Sequence, residues 1–236
     1  MKRVEDIDRY LRAHFAAQQV SEPTSGAQRV HPFVTISRQT GTGGHALAEA
    51  MLDVFGQQRD TDLFGGWRVY DRTLCEIVVK DPRFARSLES LVEEEYRTKT
   101  NDFFHQMLRA TVDQTMVMDR VFLVVRAIAG MGKAIIVGRG GGHVTADMPE
   151  GLSLRVIASE DVRVARAMDV HDLSEKAARA GARKRDADRA RLVHAHFGVD
   201  IDDPVGYDVT WNVGSASYHE IAQATVALVR SRDDER

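Results

Sequence analysis

Cysteine is almost absent from this chain: Cys75 is the only one in 236 residues, which excludes an internal disulfide and cysteine-rich zinc sites. The lone thiol reads as a small apolar filler on a helix. A surplus of charge is missing too, since 32 basic side chains face 35 acidic ones for a net charge of −3. Coating a nucleic acid demands a large phosphate-neutralising excess, so no nucleic-acid partner is expected and only a local basic cleft stays open. No apolar run approaches the roughly 18 residues that a bilayer span requires. The opening MKRVEDIDRYLRAHF is too charged for the apolar core of a signal peptide. The expectations are no membrane partner and a cytoplasmic location.

What remains is ordinary globular composition, 43% apolar and 28% charged, in a chain long enough to bury a core without disulfide or metal. Val4, Ile7, Tyr10, Leu11 and Phe15 recur at helical spacing over residues 3–18. SEPTSGAQRVHP (21–32) lacks periodicity and reads as a linker. Residues 1–30 are thus an amphipathic helix and linker, suited to pack on the domain or to form a homodimer, and the fold proper begins at Phe33. Five short β-branched or apolar runs follow: FVTIS (33–37), WRVYD (67–71), AIIVG (134–138), LSLRVIAS (152–159) and YDVTWNV (207–213). Helical periodicity fills 46–56, two or three helices within 83–130, 160–168, 174–197 and 217–231. Strands alternating with helices predict an α/β fold on a five-stranded parallel sheet with right-handed crossovers.

The segment ISRQTGTGGHALAEAM (36–51) places a glycine-rich turn between a buried strand and a helix start. Backbone N–H groups and the positive helix end gather there, which suits a phosphate. The Walker pattern GxxxxGK[ST] would need glycine at Arg38, lysine at Gly44 and a hydroxyl residue at His45. Arg38 can replace part of the missing lysine charge, although a guanidinium is planar rather than a point charge. His45 is read as a cap, a phosphate contact or a solvated side chain. GMGKA (130–134) imitates the end of a Walker loop, but it follows a helix and precedes a strand, so it reads as a helix stop with Lys133 solvated. In IIVGRGGG (135–142), Arg139 falls at the carboxyl edge of a strand, where open α/β sheets bind ligands. It fits either an acceptor phosphate or a structural carboxylate. Tyr70 and Asp71 end the second strand at the same edge, and Asp71 suits an acceptor hydroxyl or a helix cap equally. Between the fourth and fifth strands lie Arg163 and Arg166, one turn apart, and Arg185 and Arg189, four residues apart. A charge run there is either a solvated face or a lid that neutralises a transferring phosphoryl group. His194 and His196 diverge on a helix and make no metal site by themselves.

Taken in order, TISRQTGTGGHALAE, VYDRTL, IIVGRG, VIASEDVRVARAM, DADR and YDVTWNV resemble the cytidylate kinase-like family of P-loop proteins across about residues 33–230. The resemblance implies a P-loop NTPase-type three-layer fold over residues 31–232, with 83–130 as a helical monophosphate-binding insertion and 163–198 as an arginine-rich lid. It also implies a donor-nucleotide loop of Ser37, Arg38, Gln39, Thr40, Gly41, Thr42, Gly43, Gly44 and His45. Tyr70, Asp71 and Arg139 then belong to the acceptor side, with Arg139 resembling the arginine of a GRD motif whose aspartate is here Gly140. Arg163 and Arg166 look like the first lid arginines, and Asp186 with Arg189 like the later lid pair. The expected catalytic set is Arg38, Arg163, Arg166, Arg185 and Arg189.

The activity so implied is transfer of the γ-phosphoryl group of ATP to a nucleotide-like acceptor, CMP or dCMP first, with Mg2+ held mainly by the nucleotide because no protein ligand for it is evident. Loss of lysine, hydroxyl and aspartate at three positions keeps two alternatives open. One is a catalytically weak nucleotide-binding regulator, and the other a kinase of another small metabolite.

Overall fold

The computed structural model describes residues 30–71 and 114–234. Residues 31–71 and 125–236 form one compact unit, which holds the sheet. Cys75, the N-terminal helix and most of the 83–130 insertion lie outside the described residues.

Five strands, β1 (Phe33–Arg38), β2 (Arg68–Tyr70), β3 (Ala134–Val137), β4 (Gly151–Ile157) and β5 (Val209–Asn212), make a wholly parallel sheet in the order β2-β3-β1-β4-β5. The described helices are α1 (Gly44–Gly56), α2 (Thr61–Phe64), α3 (Gln114–Met131), α4 (Gly141–Val144), α5 (Glu160–His171), α6 (Glu175–Phe197) and α7 (Tyr218–Asp234). The chain leaves β1 toward one sheet edge and β4 toward the other. A crevice therefore opens at the carboxyl ends of these neighbours, the usual ligand position in open α/β sheets.

Period-two alternation divides the strands between two faces. Val34, Ile36, Leu152, Leu154 and Val156 join Leu47, Met51 and Phe55 of α1 and Ile221 and Val229 of α7 in one buried cluster. Each such side chain contributes about 1.5–3 kcal/mol when fully buried. Phe55 packs against Phe64 and Trp67, with ring centroids 5.3 and 4.7 Å apart. The opposite face mixes the buried Phe33 and Ile136 with a polar stretch, because the alternate positions of β1 and β4 include Thr35, Ser37, Ser153 and Arg155.

Local capping fixes the ends. Asp60 accepts the N–H of Leu63 at 3.0 Å to start α2, and Ser174 accepts that of Ala177 to start α6. α6 stops at Gly198 in the left-handed conformation. The 130–134 segment is a helix stop as its order predicts, since Gly132 and Lys133 both take positive φ between α3 and β3. Lys133 is not simply solvated: its ammonium donates to the Asp62 carbonyl. Among the described residues no helix is long and apolar enough to cross a membrane.

Candidate functional site

The loop from Ser37 to His45 runs from the end of β1 into α1 and is held from several sides. Gln39 N–H donates to the Val156 carbonyl at 3.0 Å, and its side-chain oxygen accepts from Ala158 N–H. The Thr42 hydroxyl donates to Gln39 O at 2.8 Å. Gly41 has φ +85°, and a Cβ there would lie 2.4 Å from the Arg163 carbonyl oxygen. Gly43, at φ +72°, is the N-cap of α1, and no side chain caps that helix. The orphan amides of the first turn of α1 thus keep their capacity for an anion. His45 is exposed beside Glu49, one turn on, at 3.4 Å.

Arginines gather in and around the loop. Arg38 lies mostly buried, its guanidinium against Gly138 at the end of β3. The guanidinium makes no hydrogen bond among the described residues. Burial and the like charges of Arg189, Arg139 and Arg155 push its pKa down to about 10, opposed only by Asp186. Arg139 sits in a turn where Gly138, Arg139 and Gly140 take φ of +84°, +57° and +67°. A non-glycine residue in this region costs about 1–2 kcal/mol, and such strain gathers at functional sites. Arg155, buried in β4, donates to the Ser37 hydroxyl at 2.9 Å and pairs with Asp202. Its guanidinium also lies 5.7 Å from the Tyr207 ring.

Asp186 of α6 ties the loop to that helix and to α5. One carboxylate oxygen accepts Thr40 N–H at 2.7 Å and Arg189 at 3.0 Å; the other accepts Arg163 at 2.8 Å. Arg189 reaches the Thr40 hydroxyl at 2.8 Å, and burial lowers its pKa. Arg163 also donates to the carbonyls of Thr40 and Ala158. Arg166, one turn along α5, turns elsewhere: it donates to Val213 O at 2.8 Å and to the Tyr218 hydroxyl, which itself donates to Thr42 O at 2.9 Å. Arg185 is exposed on α6, within electrostatic reach of Arg189.

The fold therefore brings Arg38, Arg139 and Arg189 to the mouth of one crevice, with Arg163 beneath the loop and Arg166 at its far side. Tyr70 ends β2, which β3 separates from β1, and Asp71 follows it. Sequence reasoning missed Arg155, Tyr207 and Tyr218. A charged residue inside the apolar run LSLRVI was the available signal for the first. Tyr207 donates to Ile201 O at 2.9 Å and meets Ser37 and His143 at 3.2 and 3.4 Å. His143 is driven toward its neutral form by burial and then by Arg155. No group of three or more His, Cys, Asp or Glu side chains suited to a metal occurs among the described residues. His45 and Gly140 supply no oxygen side chain for Mg2+ at the positions where the Walker hydroxyl and the GRD aspartate would stand.

The sheet order and the glycine-rich strand-to-helix loop after β1 define a P-loop-type α/β protein. The cytidylate kinase-like family profile matches residues 33–215, and the chain belongs to that family. An uncharacterized protein from Eubacterium ventriosum shares the fold with a TM-score of 0.66 at 18% identity, over 86% of this chain and 99% of that one. A gluconokinase from Sinorhizobium meliloti superposes with a TM-score of 0.42 at 10% identity, over 88% and 97% of the two chains. A shikimate kinase from Bacteroides thetaiotaomicron gives 0.44 at 8%, over 84% and 98%. No curated protein matches the sequence.

Proposed function

We propose that this chain is a phosphotransferase that moves the γ-phosphoryl group of ATP to a nucleotide-like acceptor, with CMP or dCMP first. The observation that carries the reading is Arg38: a largely buried guanidinium without a hydrogen-bond partner among the described residues, next to Arg139, Arg155 and Arg189, beside an uncapped helix N-terminus. Concentrated positive charge of this kind is stable when an anion completes it. Phosphoryl transfer asks for little else from a protein than positioning and charge neutralisation.

In this reading Arg38 and the amides from Gly43 to His45 receive the donor phosphates, and Arg139, Tyr70 and Asp71 face the acceptor. Arg189 and the exposed Arg185 answer the charge spread over the transferring group. Arg163 and Arg166, whose donors are engaged by Thr40, Asp186, Val213 and Tyr218, act as positioning residues that shape the loop. Mg2+ enters with the nucleotide, on its phosphates and water. The acceptor hydroxyl or phosphate oxygen attacks the γ-phosphorus as the bond to the ADP oxygen breaks, and the crevice keeps water from competing.

A second reading, a nucleotide-binding regulator with little turnover, is favoured by the Asp186 carboxylate on the Thr40 amide, which locks lid to loop in this conformation. Label transfer from γ-labelled ATP with Mg2+ into a panel of nucleoside monophosphates tests both. Labelled diphosphate that disappears in Arg38→Ala establishes the kinase and names its acceptor. ATP binding with no labelled product in any lane rejects it in favour of the regulator or another acceptor.

A further inference from the structure

The Walker lysine position is occupied by Gly44, and the geometry around it gives a physical reason. A Cβ built on Gly44 meets the Arg38 stem: Cγ at 3.1 Å, Cδ at 3.4 Å and Cβ at 3.5 Å. The Arg38 chain therefore crosses directly over the Gly44 Cα. At its far end the guanidinium lies against Gly138, where a Cβ would come 2.2 Å from Nη1 and 2.6 Å from Cζ. Gly138 has φ +84°, a conformation that also favours glycine. Two glycines distant in sequence, one at the start of α1 and one at the end of β3, thus form the two rims of a slot that holds one arginine.

We infer that Arg38 is a relocated phosphate-binding cation, that Gly44 and Gly138 are positioning residues which keep its slot open, and that a lysine at residue 44 competes with it for the same path. The inference rests on the proposed phosphate-binding function. It goes further in making the missing lysine a condition of the site rather than a defect. A side chain at residue 44 starts on the Arg38 stem, so its methylenes and those of Arg38 compete for one path. A second cation would also add repulsion to a centre where Arg139, Arg155 and Arg189 already depress the Arg38 pKa. The slot seats the guanidinium against Gly138 at the end of β3. Arg38 thereby serves an anion in the crevice from a direction different from that of a lysine on the helix.

The test is a double-mutant cycle read by calorimetric binding of tripolyphosphate to the full chain, independent of turnover. Arg38→Ala should weaken binding by about tenfold or more, the scale of a charge-assisted contact. Gly44→Lys should also weaken it although it adds a positive charge. The double variant Arg38→Ala/Gly44→Lys should bind more tightly than either single one, because vacating the slot frees the path for lysine. Should Gly44→Lys fail to fold, Gly44→Ala decides: it should weaken binding when Arg38 is present and leave it unchanged in the Arg38→Ala background. A Gly44→Lys variant that binds as tightly as the parent, or effects that simply add across the cycle, overturns the inference while leaving the phosphate site standing. A parent chain that does not bind tripolyphosphate removes the proposed function, and the inference falls with it.

Discussion

The backbone N–H of Thr40 donates to the carboxylate of Asp186 at 2.7 Å, across 146 residues of sequence. One acid of α6 thereby holds the Ser37–His45 loop, and the same carboxylate neutralises Arg163 and Arg189. Asp186→Ala should therefore cost more than an ordinary surface change: it orphans a buried amide and leaves two partly buried guanidinium groups without their acid. Side-chain exposure of 25% at Asp186 tempers the loss to about 1–3 kcal/mol. Urea unfolding measures it, and hydrogen exchange at the Thr40 amide should accelerate in the same variant. Unchanged exchange there would mean that α6 does not hold the loop in solution.

Gly41 makes a sharper prediction. It combines φ +85° with a virtual Cβ only 2.4 Å from the Arg163 carbonyl oxygen, a backbone atom that cannot step aside without moving α5. Gly41→Ala should destabilise by about 2 kcal/mol or more, from left-handed strain plus the clash. Gly56→Ala is the control, since its Cβ would meet nothing within 4 Å. Equal melting temperatures for the two variants would show that the loop relaxes freely.

The strands were legible because parallel strands buried under helices must be apolar, and AIIVG and FVTIS meet that demand in few residues. The glycine-rich turn was legible because Gly41 and Gly43 stand where the backbone takes positive φ. The division of labour among arginines was not. Arg163 and Arg166 share a helix face by spacing, yet one reaches Thr40 and Asp186 and the other Val213 and Tyr218. Periodicity along one helix says which residues are neighbours on it and nothing of what packs against them. Tyr207 was hidden for a related reason: it fits the strand pattern of YDVTWNV, but β5 begins only at Val209. Its hydroxyl is instead turned to Ser37 and Ile201.

Arg155 separates charge from packing. It is 4% exposed, its Nε is buried without a partner, and Asp202, which pairs with it, is 64% exposed and keeps access to water. Arg155→Met retains most of the volume and removes the desolvated charge. Stability should stay within about 1 kcal/mol of the parent or rise, as for other buried ion pairs replaced by apolar groups. ATP affinity should fall by about tenfold, because Ser37 loses its donor and the crevice loses positive potential. Loss of stability with unchanged affinity would assign Arg155 to the scaffold alone.

Glu160 links α5 to α6 and sets an acid limit on that pairing. It accepts Arg183 Nε at 2.7 Å and Nη2 at 3.1 Å, and Arg179 Nη1 at 2.7 Å. Hydrogen bonds from Arg183 and then Arg179 hold its carboxyl at about 2, below the ordinary 4.5. A depressed folded-state value means that the pairing adds stability above the unfolded pKa and loses it as pH falls from about 4.5 toward 2. Glu160→Gln abolishes this titration. Its melting temperature should lie below that of the parent at pH 7, and the gap should close progressively between pH 4.5 and 2. Added salt should narrow the gap at pH 7, because Arg183 is exposed and Glu160 and Arg179 are partly so. A gap that stays constant from pH 7 down to pH 2.5 would show that the Glu160 charge does not hold α5 and α6 together.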